Sequence, residues 1–511
     1  MEQHICRQRR VKCDETRPSC LRCVKRKITC SGFQATKTQV GSCRTLVPTV
    51  KIPSILSSPG SAIFRSEWEK VYFETWISAK NELCGDELFD VFSVMVTQVA
   101  TQNCLLKEAV LALGALKIAL IQQTDLLPLE QSKASVHYRT ALSRYGNAMR
   151  TLVAIAANED TISTILQCCI VFFCFDLLDG NHKAAHVHIH YGTRILRNFL
   201  RARCPGTDLD ICANSPVPYL IDGSMVHIFQ RCNSVSYVHL APRRPCQPSE
   251  PQLDAGVDTS TTLKTILPQS FSSVKEAVRW LDLIQNALFA PIIASKQPSS
   301  LGGRWKTERR RFLEILDNWA VAFRPQAAQE AQAGGDNPRP REQVIATEMQ
   351  WHNAYIFVYT SHYHHYPSLV EMESRFRAIV NLANLLTDRP HRAKPVIPLT
   401  ISGSLLPLFV VANKCRNVEV RLAAEKAVRR LNHRVEGLWD SRAALALIEW
   451  ARRTEDAYMT QFDDSETVWT RLRGRYILFG GRQGDQPNQA VVGSQVLEDG
   501  EWVYHEETLT W

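Results

Sequence analysis

The sequence predicts a mainly α-helical protein with a small cysteine-rich module, a flexible linker and a large all-α-helical domain. Three observations support this: regularly spaced cysteines open the chain, a stretch rich in Ser, Thr, Gly and Pro follows them, and apolar residues then recur at three- and four-residue steps. Apolar side chains at that spacing line one face of a helix. The predicted domains are the module at 1–31, the linker at 32–62, the helical domain at 63–480 and a C-terminal tail at 481–511.

Five cysteines lie at regular intervals near the N-terminus. They are Cys6, Cys13, Cys20, Cys23 and Cys30, separated by six, six, two and six residues. Thiolates at such short spacings suit a tetrahedral zinc ion. Disulfide bonds would be the alternative in a small secreted domain, but no secretory signal precedes this segment. We therefore expect Zn2+ as the cofactor, with these five cysteines as candidate metal ligands.

Basic residues are concentrated in the same segment. Residues 1–60 hold twelve basic and three acidic residues, so they carry the whole net charge of +9, and residues 61–511 sum to zero. Clustered cations bind the phosphates of DNA because they release its condensed counterions. The charge therefore predicts double-stranded DNA as a partner of the module alone. The candidate DNA-binding residues are Arg7, Arg9, Arg10, Lys12, Arg22 and Lys25.

The stretch CRQRRVKCDETRPSCLRCVKRKITC resembles the fungal Zn2Cys6 binuclear zinc cluster, whose pattern is C-x2-C-x6-C-x6-C-x2-C-x6-C. It matches the second to sixth cysteines of that pattern, and Asp14 and Pro18 also agree. The resemblance implies a module that enters the major groove at CGG-type sites. It gives Arg9 and Arg10 the base-reading positions, where arginine suits guanine. The other four candidate residues are assigned to phosphates, which fix register without reading sequence.

Gln3 occupies the position of the first cysteine of the family pattern. In the family this cysteine bridges the two zinc ions, and an amide oxygen cannot replace a bridging thiolate. Three interpretations stay open. The chain start omits a segment that supplies the cysteine, the module holds one zinc through four of its five cysteines with His4 as a spare ligand, or the module is degenerate.

The linker and the helical domain are predicted from local pattern. Pro48, Pro53 and Pro59 exclude a continuous helix from the linker, and no heptad pattern predicts a coiled coil there. We expect a strand at 475–480 and a mobile loop at 325–341, which is rich in Gly, Pro and Gln. Helices are predicted at 104–120, 132–156 with Ser132 as the cap, 161–178 as a central helix apolar on nearly every face, 182–200, 272–294, 305–323, 342–363, 371–387, 418–437 and 441–461.

From about residue 62 to 480 the chain also resembles the regulatory domain that accompanies fungal zinc clusters. The resemblance rests on AVLALGALKIAL, on FDLLDGNHKAAHVHIHYGTRIL and above all on NKCRNVEVRLAAEKAVRRLNHRVEGLWDSRAALALIEW. It implies a large all-α-helical regulatory domain with no known catalytic residues. The whole chain is then expected to be a nuclear, sequence-specific regulator of RNA polymerase II transcription. Such proteins often control one pathway, including clustered secondary-metabolism genes.

Other motifs favour no competing chemistry. The sequence has no GxSxG, GxxxxGK[ST] or GxGxxG motif, which argues against an enzyme. Its longest uninterrupted apolar run, at 168–175, is too short to cross a bilayer, so we expect an intracellular, soluble protein without a membrane partner. Cys168, Cys169 and Cys174 in that run are predicted to be buried thiols. The main alternative function is an interaction protein whose zinc module no longer binds DNA.

Two further features have competing interpretations. His182, His186, His188 and His190 include pairs four residues apart on a helix, but without a carboxylate between them we favour packing or polar-face roles over metal binding. His362, His364 and His365 are assigned to a helix end. The tail QVLEDGEWVYHEETLTW mixes acidic and aromatic residues. This composition is typical of an activation segment that binds coactivators, and equally compatible with a docked C-terminal strand.

Overall fold

The structure is a computed structural model of the 511-residue chain, which separates into two compact units, 1–61 and 62–511. The residues described are 21–27, 64–79, 96–124, 135–206, 212–239, 259–295, 302–332, 339–360, 366–387, 403–431, 435–436, 439–459, 466, 468, 472–479, 489–498 and 501–511. The predicted linker therefore lies outside the described residues.

Helices dominate the described residues, which confirms the mainly α fold class. The first unit contributes α1 (Leu21–Lys25). The second contributes α2 (Glu67–Ala79), α3 (Thr97–Gln102), α4 (Cys104–Thr124), α5 (Val136–Val153), α6 (Ile162–Leu178), α7 (His182–Arg203), α8 (Gly223–His239), α9 (Thr259–Ile266), α10 (Val274–Ser295), α11 (Gly302–Gln332), α12 (Arg339–Tyr359), α13 (Tyr366–Glu371), α14 (Glu373–Thr387), α15 (Leu405–Lys414), α16 (Val418–Arg430) and α17 (Ser441–Met459).

The N-terminal core of the second unit is built by α2 to α8 around α6. Helix α6 is buried along almost its whole length, as its all-round apolar sequence predicts. Helix α5 begins where the Ser135 Oγ accepts a hydrogen bond from the Tyr138 backbone N–H at 3.1 Å. The cap is therefore Ser135 and not the predicted Ser132, because the side chain of Ser135 meets an N–H that the first helical turn leaves unpaired.

Two further cores complete the unit. One joins α9, α10, α11 and α12, where the Trp319 indole N–H donates to the Ala277 carbonyl at 2.9 Å. The other joins α12 and α14 to α17 with residues from two C-terminal strands. No helix among the described residues is both long and apolar enough to cross a bilayer.

Helix α11 corrects the predicted loop at 325–341. The helix continues through Pro325 to Gln332, so residues 325–332 are helical. Proline removes one backbone hydrogen bond, but the following QAAQEAQ consists of strong helix formers. Helix α16 is also shorter than predicted, because it ends at Arg430 and residues 435–436 form a strand.

Two antiparallel sheets lie at the C-terminal end. Strands β1 (Val435–Glu436) and β2 (Trp439–Asp440) form one, and β3 (Leu472–Phe479), β4 (Gln489–Glu498) and β5 (Glu501–Thr510) form the other, with β4 in the centre. The predicted strand at 475–480 is thus confirmed as part of β3. The tail forms strands, and Val492 and Leu509 are buried against the last helical core. Of the two interpretations of the tail, the structure shows the docked strand.

Candidate nucleic-acid interface

Residues 21–27 show how the cysteine-rich module separates its two kinds of side chain. Within α1, Cys23 is fully buried, while Lys25 is exposed, as are Arg26 and Lys27 after it. The turn closes with hydrogen bonds from the Arg26 N–H to the Cys23 carbonyl at 3.2 Å and from the Lys27 N–H to the Val24 carbonyl at 3.0 Å. Lys27 then adopts a left-handed conformation with φ of 53°. One short turn thus directs a thiol inward and cations outward.

This arrangement fits a zinc site that faces the module interior. A buried thiol is what a structural zinc ligand requires, and the donor set of the module consists of thiols that bind zinc as thiolates. Cys23 would therefore hold zinc together with the other candidate ligands Cys6, Cys13, Cys20 and Cys30. Those four cysteines lie outside the described residues, as do Arg7, Arg9, Arg10 and Lys12. Arg22 belongs to α1, but its side chain also lies outside the described set.

Among the histidines of α7, His188 packs against its neighbours. His188 Nε2 lies 2.9 Å from the Tyr145 hydroxyl and 3.1 Å from the Asp176 carboxylate, and its ring packs against Phe172. No group of three or more His, Cys, Asp or Glu side chains that could hold a metal is found among the described residues. The packing interpretation is confirmed for His188. Residues 361–365, which include the second histidine group, lie outside the described residues.

The second unit also contains a buried polar pair that sequence spacing does not indicate. His227 in α8 lies 3.0 Å from the Asp282 carboxylate in α10, although 55 residues separate them. Burial lowers the pKa of His227 and outweighs the opposing effect of Asp282, so the imidazole is neutral at pH 7. The pair therefore links α8 to α10 by a hydrogen bond.

The thiols of α6 are unsuited to nucleophilic chemistry. Cys168, Cys169 and Cys174 are buried and make no disulfide, as predicted. Burial raises the pKa of Cys169 to about 12, and it raises the pKa of the other two as well. A protonated thiol is a poor nucleophile, so these residues serve as packing groups.

Two family models match this chain, one over most of its length and one at its N-terminal end. A family model described as the fungal specific transcription factor domain matches residues 72–471. The chain belongs to this family. A second model, the fungal Zn(2)-Cys(6) binuclear cluster domain, matches residues 4–39. Both predicted resemblances are confirmed, and they indicate a transcription factor rather than an enzyme. The cluster domain binds zinc, which confirms Zn2+ as the cofactor, and it implies DNA binding and nuclear action.

Two curated transcription regulators are similar to parts of this chain. The aspercryptin biosynthesis cluster-specific transcription regulator atnN of Emericella nidulans is 27% identical over 217 residues, which is 37% of this chain and 33% of the relative. The transcription regulator lscL of Purpureocillium lilacinum is 26% identical over 242 residues, which is 44% of this chain and 55% of the relative. The match thus spans about a third and about half of their lengths. No solved structure gives a significant match.

Proposed function

We propose that the protein is a nuclear, sequence-specific transcription regulator of RNA polymerase II genes in one pathway, such as a biosynthetic gene cluster. The observation that carries the proposal is the presence of a zinc-cluster match at 4–39 and a regulatory-domain match at 72–471 in one chain. The printed name of one relative, a cluster-specific regulator of aspercryptin biosynthesis, supports the pathway assignment.

The two matches support a domain order that we propose as follows. Residues 1–31 bind DNA, residues 32–62 form the linker, residues 63–480 form the helical regulatory domain and residues 481–511 form the tail. Coactivators are proposed partners of the part that follows the linker. The tail would contribute to such contacts from a folded sheet, because its residues 489–498 and 501–510 are already paired as strands.

The module is proposed to bind CGG-type duplexes, with some of its basic residues contacting phosphates and others reading bases. Lys25 is exposed beside the buried Cys23, which suits a phosphate contact. Arg10 holds a base-reading position by its place in the motif, and arginine makes bidentate contacts to guanine. The affinity for DNA would then come mainly from the many cations that contact phosphates, and the specificity from the few that read bases.

The test compares Arg10→Ala and Lys25→Ala in the full-length, zinc-loaded chain by fluorescence anisotropy. Arg10→Ala should lose about 1–3 kcal/mol on a CGG-bearing duplex and little on a scrambled duplex. Lys25→Ala should weaken binding to both duplexes equally and lower the salt slope by about one. Arg194→Ala, which removes an exposed arginine of α7, is the control. If Arg10→Ala leaves the preference for CGG unchanged, the assignment to base reading is wrong.

The second candidate function is an interaction protein whose zinc module no longer binds DNA, and Gln3 in the bridging position is the observation that favours it. The two candidates differ in their response to a chelator. Our proposal requires that removing zinc abolishes binding to the CGG duplex, since the metal folds the module that positions the cations. The alternative requires weak binding that is the same with and without the chelator.

A further inference from the structure

Helices α2, α4 and α5 of the second unit are joined by an ion-pair network. Arg144 in α5 donates to both oxygens of Glu108 in α4, at 3.0 and 2.8 Å, and to Glu69 in α2 at 3.0 Å. Lys107 approaches the same Glu69 carboxylate at 3.5 Å. Two cations and two carboxylates thus neutralise one another within the network.

A cavity of about 480 Å³ lies beside this network. Arg65 and Arg139 also line it, together with Val136 and the hydroxyl groups of Thr140 and Ser143. Both arginines are exposed, and neither guanidinium makes an ion pair or hydrogen bond with any residue that the structure describes. The two arginines are therefore a surplus of positive charge at the cavity, because the network behind them is neutral.

The Nε atom of Arg144 is buried and has no hydrogen-bond partner among the described residues, so a ligand in the cavity does not reach it. Charged contacts with a ligand therefore come from the exposed Arg65 and Arg139. The Ser143 side chain adds a hydroxyl group to the lining, whereas the Thr140 hydroxyl already donates to the Val136 carbonyl at 2.8 Å.

The chemistry of this lining selects one class of ligand. Guanidinium groups pair with carboxylates through two parallel hydrogen bonds, and a cavity of this volume has the size of a small-molecule site. Val136 and the methylene stems of the arginines add apolar contacts that an inorganic ion cannot use. We propose that the cavity binds a small organic dicarboxylic acid, with its carboxylates at Arg65 and Arg139. The ligand would then join the start of α2 to α5.

Isothermal titration calorimetry of the full-length chain tests this with three probes at constant ionic strength. Succinate is the dicarboxylate, succinamide has the same shape without charge, and inorganic phosphate is an anion without an apolar body. Succinate should bind saturably and raise the melting temperature of the helical domain, because a ligand that binds only the folded state stabilises it. Succinamide should not bind, and phosphate should bind more weakly than succinate.

Variants locate the site. Arg65→Ala and Arg139→Ala should each weaken succinate binding by about tenfold, and the double variant should abolish it. Arg139→Lys should recover only part of the affinity, since lysine keeps the charge and loses the planar fork. Arg194→Ala removes the same charge elsewhere and should bind like the parent.

Three results would overturn the proposal. The first is the absence of saturable succinate binding, and the second is an equal loss of binding in all arginine variants, including Arg194→Ala. The third is equal affinity for phosphate and succinate, which would reject the assignment to an organic acid. None of these results depends on DNA binding, so this proposal and the proposed function can fail separately.

Discussion

Glu69 provides the sharpest test of how the N-terminal core is held together. Its carboxylate accepts from the Arg65 backbone N–H at 2.8 Å and from Arg144 at 3.0 Å, with Lys107 at 3.5 Å. The side chain is only 4% exposed. The same carboxylate therefore closes the start of α2 and ties that helix to α4 and α5.

Replacing Glu69 should destabilise this region strongly. Glu69→Ala leaves cations without their buried partner, and breaking a buried pair in this way costs about 3–5 kcal/mol. Glu69→Gln keeps an acceptor for the Arg65 N–H but loses the charge, so we expect about 2 kcal/mol. Glu67→Gln in the same helix is the matched control, because Glu67 is 80% exposed and its pair with Lys70 is 3.6 Å long. An exposed pair contributes at most about 1 kcal/mol.

Hydrogen exchange of the full-length chain, followed by mass spectrometry, measures this locally. A loss of about 3 kcal/mol accelerates exchange by about a hundredfold in peptides from α2, α4 and α5. Peptides from α15 and α16, in a different core, should exchange at the parental rate. If the amides of α2 exchange as slowly in Glu69→Ala as in Glu67→Gln, the ion-pair network does not stabilise the core.

The same residue predicts a pH dependence. Burial raises the pKa of Glu69, but the hydrogen bonds from Arg65 and Arg144 and the charges of Arg144 and Lys107 outweigh burial and hold the pKa below its ordinary value of 4.5. A carboxylate with a lowered folded-state pKa stabilises the fold fully above its ordinary pKa and loses this as pH falls through the lowered value. The stability difference between the parent and Glu69→Gln should therefore be complete at neutral pH and shrink in acid. A difference independent of pH would contradict this.

Two further predictions concern the metal and the helix packing. As it stands the module should bind about one zinc, and Gln3→Cys should raise this to two and tighten folding; elemental analysis that finds two zinc ions without the substitution would contradict this. Gly114→Ala should destabilise the chain by about 1–3 kcal/mol, because a Cβ at this position of α4 would collide with the Tyr72 backbone of α2. A Cβ at Gly146 meets nothing within 4 Å, so Gly146→Ala should stabilise α5 by about 0.5–1 kcal/mol. Equal melting temperatures for the two variants would contradict the close approach of α4 to α2.

The metal, the location of the net charge and the burial of one central helix could be predicted from the sequence alone. The metal type follows from five thiols at fixed spacing, because a zinc site in so short a segment needs its ligands close together in sequence. The confinement of the charge to residues 1–60 is a matter of counting. Helix α6 is apolar on nearly every face, so its burial could be predicted without its neighbours. The zinc ligands and the burial of α6 could be predicted because each depends on residues that are close together in the sequence.

The tertiary structure decided what depends on distant partners. The tail mixes acidic and apolar residues, and only the pairing of β5 with β4 and the burial of Leu509 show that it forms strands. The ion-pair network joins residues 36 and 75 positions apart, so no spacing rule could bring Arg144 to Glu108 and Glu69. The unneutralised positive charge of Arg65 and Arg139 can be recognised only once those ion pairs are assigned. Sequence shows which charges exist, but the fold determines which of them are neutralised, because an ion pair forms where chain segments meet and the energy of a charge depends on its burial.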